Sequence, residues 1–337
     1  INHVGVEQQA CNNCGDCVSG CNYGAKNTTL MNYLPDAWNH GADIFCQADV
    51  RYLEKVDDGW LVHYQVVGVG REKFDAPTLF VKAKLLMVSA GTLGSNEIML
   101  RSKEKGLSTS EQLGEGFSGN GDILGFGFNT EQTINGMGFG THQEGEIPAV
   151  GPCITSIIDM REGDDWRKRM VLEEGSIPGA LASLMPTSFA VAAGFIGQDT
   201  DPGILNGIKE DVRVAESLVH GPYSGAVKNT QTYLIMSHDD AKGQVKLNDQ
   251  GRSYILWPNV GEQENFIYGN ENLKSATAAL GGDYIENPVW TPLFKHSLIS
   301  VHPLGGCNMG ADASQGVVNH KGQVFTGNGD KVYESLY

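Results

Sequence analysis

The sequence is short of cations. Lys and Arg together number 24 against 40 Asp and Glu, a formal charge of −16 over 337 residues. A chain this acidic repels a phosphate backbone, which excludes a general nucleic-acid binder. Long apolar runs are also missing. The most apolar window, residues 183–196, falls short of the roughly 18 consecutive apolar residues of a membrane span and is rich in small side chains. The sequence therefore predicts a soluble protein with no membrane span. No basic patch followed by an apolar stretch stands at the start, so no secretory leader is read there. Internal repeats and low-complexity tracts are absent. So is a Gly-x-Ser-x-Gly elbow, which disfavours a serine hydrolase of that type. The Gly-x-Gly-x-x-Gly fingerprint of dinucleotide-binding folds is lacking too. Gly125-Phe126-Gly127 and Gly136-Met137-Gly138-Phe139-Gly140 have other spacings, with no helix read behind them.

What is there supports a folded protein of about two domains, at roughly 150 residues each. Hydrophobic residues make up 40% of the chain, enough for a buried core and too many for disorder. The 44 glycines have no period, which excludes collagen and points to tight turns or close approach of backbone to a ligand.

Residues 1–35 are polar and rich in Gly and Cys, and a helix is expected over 30–40, kinked or shortened by Pro35. Strands are expected at 42–50, 51–54, 60–67 and 74–81, with a turn at Asp57-Asp58-Gly59. The run Leu85-Leu86-Met87-Val88-Ser89-Ala90-Gly91 predicts a buried central strand, and a helix is expected to follow it over 97–101. That strand–Gly–helix step is a doubly wound element. Strands at 149–159 and 231–237, a hairpin over 243–256 and a helix over 263–280 fill the second half. The sum is an α/β piece wrapped around an inserted, mostly antiparallel β lobe.

Cys11, Cys14, Cys17 and Cys21 are spaced C-x2-C-x2-C-x3-C, the run that holds a four-iron cluster in bacterial ferredoxins. Asn22 stands where those proteins have Pro. Two readings stay open: an iron–sulfur electron-transfer centre, or thiols that shape a Gly-rich loop. Cys46, Cys153 and Cys307 lie among apolar residues and read as buried core thiols. His238-Asp239-Asp240 has too few partners for a metal and reads as a solvated turn.

The most informative stretch is Val301-His302-Pro303-Leu304-Gly305-Gly306-Cys307-Asn308-Met309-Gly310. An imidazole followed by Pro and two glycines sits where backbone can pass close to a flat ligand. A neutral His there can orient an alcohol hydroxyl or accept its proton. Three further blocks accompany it: residues 20–28 with Tyr33-Leu34, residues 88–95, and residues 113–121, with Gly316-Val317-Val318 downstream of the first. In these four blocks, their order and their spacing, the sequence resembles the glucose–methanol–choline (GMC) flavin oxidoreductases, in particular their cholesterol-oxidase-like branch.

The resemblance implies part of an FAD-binding Rossmann-like domain with an inserted, mostly antiparallel substrate domain. It places the partial FAD domain at 1–122, the substrate domain at 123–297 and the return to the FAD domain at 298–337. It implies oxidation of an alcohol, bulky and apolar or sterol-like, by hydride transfer to flavin N5, with oxygen or another electron acceptor as partner. His302 matches the histidine at the flavin face. Val50 matches the strand whose backbone meets the adenine, and Ser89, Ala90 and Gly91 match the turn beside the adenosine. The family's fingerprint strand would lie upstream of Ile1, and its closing strand beyond Tyr337. The chain is thus read as a fragment, which need not be active alone. The carboxylate that cholesterol oxidases place after a Pro-x-x-Leu step is missing, because Ala182 follows Pro178-Gly179-Ala180-Leu181. Glu173 and Glu174 lie upstream and read as an exposed acidic turn or as a substitute for it.

Overall fold

The computed structural model describes residues 1–68 and 77–337. In chain order it holds helix α1 (Tyr33–Asn39), strands β1 (Ala48–Val56), β2 (Gly59–Val66) and β3 (Leu79–Ala83), and helix α2 (Gly91–Glu104). Strands β4 (Ile123–Phe128), β5 (Ile157–Met160) and β6 (Met170–Gly175) follow, then helix α3 (Met185–Ile196), strand β7 (Gly197–Asp199) and helices α4 (Ile204–His220) and α5 (Gly225–Lys228). Strands β8 (Gln231–Met236), β9 (Gln244–Leu247) and β10 (Ser253–Leu256), helix α6 (Glu264–Leu280) and strand β11 (Asp283–Glu286) complete the order. The chain runs back and forth between two units. The first comprises Ile1–Asp43, Gly121–Asp239 and Asn259–Ser300, the second Ile44–Asn120, Asp240–Pro258 and Val301–Tyr337.

The first unit is built on a six-stranded antiparallel sheet in the order β5-β6-β8-β4-β11-β7. Alternation decides its two faces. Ile123, Met170, Leu172, Tyr233, Ile235 and Tyr284 form one core with Phe266 and Leu273 of α6. Phe128 and Ile285 point the other way, into a core with Phe189 of α3 and Ala226 and Val227 of α5. There the Phe128 and Phe189 rings stack at 5.4 Å. Gly125 interrupts the apolar alternation of β4, because a Cβ there would lie 3.0 Å from both Leu273 and the Tyr284 hydroxyl. The helix expected over 263–280 and the strand over 231–237 are present.

The sequence reading missed α4 and placed no helix over α3. Helical turns from Gly179 run into α3 to give an 18-residue stretch, Gly179–Ile196, of mean hydropathy 1.6. By length and composition alone it is long and apolar enough to cross a membrane. Its Ala182 and Phe189 pack into the second core, while Leu184, Val191 and Phe195 are exposed.

The second unit pairs β1, β2 and β3 antiparallel, with α2 against β1. Its core joins Leu53, Trp60 and Val62 to Ile98 and Met99 of α2 and to Val317, Val324 and Leu336. Trp60 is fully buried, and its indole Nε1 donates to Ser335 Oγ at 3.0 Å. The β9–β10 hairpin is fastened to α2. Arg101 Nε donates to Gly251 O at 2.6 Å, and Glu97 Oε2 accepts from the Ser253 backbone N–H and hydroxyl at 2.7 and 2.8 Å.

Two strand expectations need correction. The strand expected over 42–50 starts only at Ala48 and is continuous with the one expected at 51–54. The run 85–91 is no buried central strand: Leu85 and Met87 are exposed. Among the described residues its backbone pairs with the last residues of the chain, with Leu86 N–H donating to Ser335 O at 2.9 Å, Val88 N–H to Tyr337 O at 2.7 Å and Tyr337 N–H to Leu86 O at 2.9 Å. The bridge is parallel and leads directly into α2, so the strand–turn–helix step is real although the strand is short. The strand expected over 74–81 falls partly outside the described residues.

Candidate functional site

Three of the four sequence blocks converge in the second unit. The turn at 88–91 leads into α2, whose N-cap, Ala90, has no side chain able to cap it. Ser95, one turn in, braces that turn instead. Its hydroxyl accepts from the Ala90 N–H at 3.1 Å and donates to Val88 O at 3.4 Å. Gly91 stands at φ +70 with nothing within 4 Å of a Cβ position, so the backbone is open there. Ser89, Ala90 and Gly91 are all exposed.

The loop that carries His302 is latched to the same helix start. Thr92 Oγ1 donates to Pro303 O at 2.7 Å. The buried Asn96 uses its amide twice, toward Thr92 O at 2.8 Å and Gly305 O at 3.1 Å. The block at 113–121 closes the other side. Ser118 and Leu304 exchange backbone hydrogen bonds at 3.0 and 2.9 Å, and Gly114 N–H donates to Gly306 O at 2.7 Å. Gly305 and Gly306 both have positive φ, +89 and +79. A Cβ on Gly305 would collide with the Gly116 carbonyl, and one on Gly306 with the Asn96 amide. The two glycines are thus required by packing as well as by conformation. Downstream, Gly310 N–H donates to Val318 O at 2.9 Å and Val317 N–H to Asn308 O at 2.7 Å, so Gly316-Val317-Val318 also belongs to this assembly.

Beside the Gly91 turn lies a cavity of about 250 Å³ lined by Val88, Gly91, Thr92, Gly305, Val318 and Tyr337, among others. It is smaller than the roughly 300–1,000 Å³ of pockets that take drug-sized ligands. It lies next to a helix start whose first N–H groups have no side-chain cap. Val50 lies half-buried in β1, paired with Tyr64 just before a bulge, and both Val50 and Val88 pack on the second unit's core. His302 is half-buried at the loop's start. Thr92, Ser95 and Asn96 were not singled out as site residues, yet their spacing of three and four on one helix face was the available signal.

The cysteine segment lies in the first unit, and three of its thiols accept separate hydrogen bonds. Cys21 Sγ accepts from the N–H groups of Ala25 and Lys26, both at 3.3 Å, which holds its pKa below the usual thiol value. Cys17 Sγ accepts from the Cys153 N–H at 3.5 Å, and Cys11 Sγ from the Asn13 N–H at 3.4 Å. Among the described residues no three His, Cys, Asp or Glu side chains are grouped to hold a metal ion. Nothing supports the iron–sulfur reading of Cys11, Cys14, Cys17 and Cys21, and the loop-shaping reading describes their contacts.

The remaining sequence expectations divide. Cys307 is largely enclosed, and burial pushes its thiol up to about 11. Cys46 is exposed, contrary to expectation, because its segment precedes the strand rather than lying within it. Asn120 adopts the left-handed turn expected of it, φ +59. His238 sits edge-on to Trp166 at 5.3 Å. Glu173 and Glu174 are no exposed turn. Both lie on β6, where Glu173 is buried and Glu174 accepts from the Thr155 hydroxyl at 2.8 Å.

Comparison with known proteins agrees with this assembly. Two family models of the GMC oxidoreductases match, one over residues 2–119 and the other over residues 240–329, together more than half of the chain. The chain belongs to the GMC oxidoreductase family, whose N-terminal domain is an FAD-binding Rossmann-like fold. A cholesterol oxidase of Mycobacterium tuberculosis (strain CDC 1551 / Oshkosh) is 33% identical over 104 residues, 31% of this chain and 18% of that protein. A cholesterol oxidase of Acinetobacter baumannii is 31% identical over 129 residues, 37% of this chain and 23% of that protein. The aligned stretches therefore span less than a quarter of either relative.

Proposed function

We propose that this chain is the part of an FAD-dependent alcohol oxidase or dehydrogenase that carries the substrate-hydroxyl histidine and one wall of the cofactor site. The observation that supports this best is the latching of the His302 loop to the start of α2 through Thr92 and Asn96, beside the open turn at Gly91.

In this reading Val50, Ser89, Ala90 and Gly91 hold the adenosine end of FAD. The missing Cβ of Gly91 permits close backbone approach, and the uncapped N–H groups of α2 favour a negatively charged group nearby. FAD, when bound, supplies the hydride acceptor that converts the alcohol to a ketone or aldehyde. His302 orients the substrate hydroxyl and takes up its proton as the carbinol carbon is oxidised. Fixing the loop at Pro303 and Gly305 keeps the imidazole in place, so little reorganisation accompanies reaction. The relatives named cholesterol oxidase support a bulky apolar alcohol, with oxygen or another acceptor receiving the electrons.

The test is made on the intact protein. Its absorbance should show oxidised flavin that an alcohol bleaches. His302→Ala should keep the flavin spectrum and lower alcohol oxidation by roughly 10²–10⁴-fold. Undiminished oxidation in that variant would remove the role given to His302, and absence of flavin from the intact protein would overturn the reading as a whole.

A further inference from the structure

Helix α4 is held to the first unit by its polar side. Arg213 Nε donates to Asn129 Oδ1 at 2.6 Å and its Nη2 to Asn129 O at 2.8 Å. Asn129 Nδ2 donates in return to Glu210 O at 3.1 Å. The buried Ser217 hydroxyl donates to Ser224 O at 2.7 Å and accepts from the Val227 N–H at 3.0 Å. Asn206 Nδ2 donates to Asp201 O at 3.2 Å. Asn206, Glu210, Arg213 and Ser217 follow at intervals of three and four, so they share one face of the helix. These bonds fix the rotation of α4 about its own axis.

The opposite face is apolar. Leu205, Ile208, Val212, Ala215 and Val219 follow at intervals of three, four, three and four, and all of them are exposed. Ile208, the least exposed of the larger ones, is still 57% exposed. An amphipathic helix ordinarily turns such a stripe toward its own core. Here the polar bonds turn it outward, and contiguous exposed apolar surface of this kind marks an interaction site.

The intervals say what kind of partner fits. A repeat of 3.5 residues is the seam of paired helices, with Leu205, Val212 and Val219 at its a positions and Ile208 and Ala215 at d. Lys209 and Glu216 stand at the flanking e positions, and Ile204, Asp211 and Leu218 at g. Against a second copy of α4 running antiparallel, Ile208 meets Val219 and Val212 meets Ala215. That register sets Lys209 beside Glu216 of the second copy at both ends of the contact, and Asp211 beside the uncharged Leu218. Sliding the pair by one heptad would oppose Lys209 to Lys209 and Asp211 to Asp211. A parallel pair would oppose Asp211 to Glu216 twice. The charges therefore select one arrangement. A bilayer fits this face worse. Interfacial helices carry Lys and Arg along their polar flanks, whereas Asp211 and Glu216 flank this stripe, on a chain of formal charge −16.

We propose that the outward face of α4 is a self-association surface, on which two copies of this chain pair antiparallel about a two-fold axis near Arg213 and Val214. The apolar stripe supplies the contact, and the reciprocal pairing of Lys209 with Glu216 sets direction and register. The interface is isologous, so each copy offers the same patch.

The experiment is sedimentation velocity of the full chain from about 1 to 100 µM, where a two-helix contact should give a dimer with a dissociation constant on the order of 10 µM. Val212→Glu, at an exposed position in the middle of the seam, should weaken the dimer at least about a hundredfold. Lys209→Glu and Glu216→Lys should each weaken it about tenfold, and the double variant that exchanges both charges should restore it. In a parallel pair Glu216→Lys would tighten the dimer instead, because the Asp211 contact would become attractive. Circular dichroism and thermal unfolding of each variant show whether the fold is kept, and the charge exchange tests the register whatever Val212→Glu does to folding. Vesicles of phosphatidylcholine are the second probe. A chain that stays monomeric at the highest concentration, whether or not it binds the vesicles, would overturn the proposal. So would a dimer that Val212→Glu leaves unchanged in a folded variant, or one that Glu216→Lys tightens. These readouts bear on this face and leave the His302 assignment where it stands.

Discussion

Two stretches of this chain carry a conspicuous spacing of unusual residues, and they end up differently. In His302–Gly310 three of the marked residues, Pro303, Gly305 and Gly306, meet distant partners. Gly305 abuts the Gly116 carbonyl, Gly306 abuts Asn96, and Pro303 O receives Thr92. In Cys11–Cys21 the sulfurs of Cys11, Cys17 and Cys21 accept from different amides, and among the described residues no three ligating side chains are grouped for a metal. Other parts of the chain close on both runs, so a spacing reports chemistry only when the marked side chains themselves are brought to one site. The cysteine run had an exact ferredoxin interval, and residues 139–153 and 176–179 do meet it, but chiefly at its backbone and at the Asp16 carboxylate rather than at its sulfurs. The histidine run was joined by residues 88–95 and 113–121, which the fold brings to it.

Substitutions sharpen this contrast. The largest effect is expected at Gly306→Ala, where a methyl at positive φ meets the buried Asn96. Conformational strain and overpacking together should cost about 3 kcal/mol, read as a shift of the denaturation midpoint. Asn96→Ala comes next. It leaves the Gly305 carbonyl without its side-chain donor and opens a small void, for about 2 kcal/mol by the same measurement. If either variant proved as stable as the parent, the latch would not be what holds the histidine loop.

A smaller effect is expected from pH in the first unit. Glu210 on α4 is pushed up from its ordinary 4.5 to about 7, and Asp283 on β11 from 3.8 to about 6. Burial is the main cause for both, followed by repulsion within a group that includes Asp199 and Asp201. The folded protein therefore binds more protons than the unfolded chain between about pH 4 and 7. Stability from these groups is complete on the acid side and is lost as pH rises through 7. Thermal unfolding across that range should show the decline, and Glu210→Gln should flatten it. Least of all is expected from replacing Cys11, Cys14, Cys17 and Cys21 together by Ser. Isolated N–H···S bonds exchanged for N–H···O bonds should change stability by about 1 kcal/mol or less. Protein-bound iron, or loss of a visible absorbance in this variant, would restore the cluster reading.

Much of the fold was legible where one periodicity dominated. The β2 strand, the β9–β10 hairpin and α6 follow from alternation, turn residues and helical spacing. The apolar run at 85–91 misled because continuous hydrophobicity was taken as burial on both faces, whereas Leu86 and Val88 pack on the core and Leu85 and Met87 are exposed. Helix α4 was missed although Leu205, Ile208, Val212 and Val219 share helical spacing. These side chains are exposed, so the pattern does not mark a core. At the candidate site the Gly and His positions could be read from sequence, whereas the spacing of Thr92, Ser95 and Asn96 marked one helix face without showing the turn and the loop it meets. Polar residues on a helix look like solvated surface until their acceptors are known.

The parallel bridge between Leu86 and Leu336 also bears on how the second unit is made. Its two sides are separated by about 250 residues, and the completely buried Leu336 closes the same core that Trp60 occupies. At roughly 5–20 residues per second of synthesis, Leu86 emerges some 10–50 s before its partner exists. Throughout that interval Trp60, Leu86 and Val88 lack the residues that cover them. The second unit's core is therefore completed only through contacts of long sequence separation, the kind whose loop-closure cost slows folding.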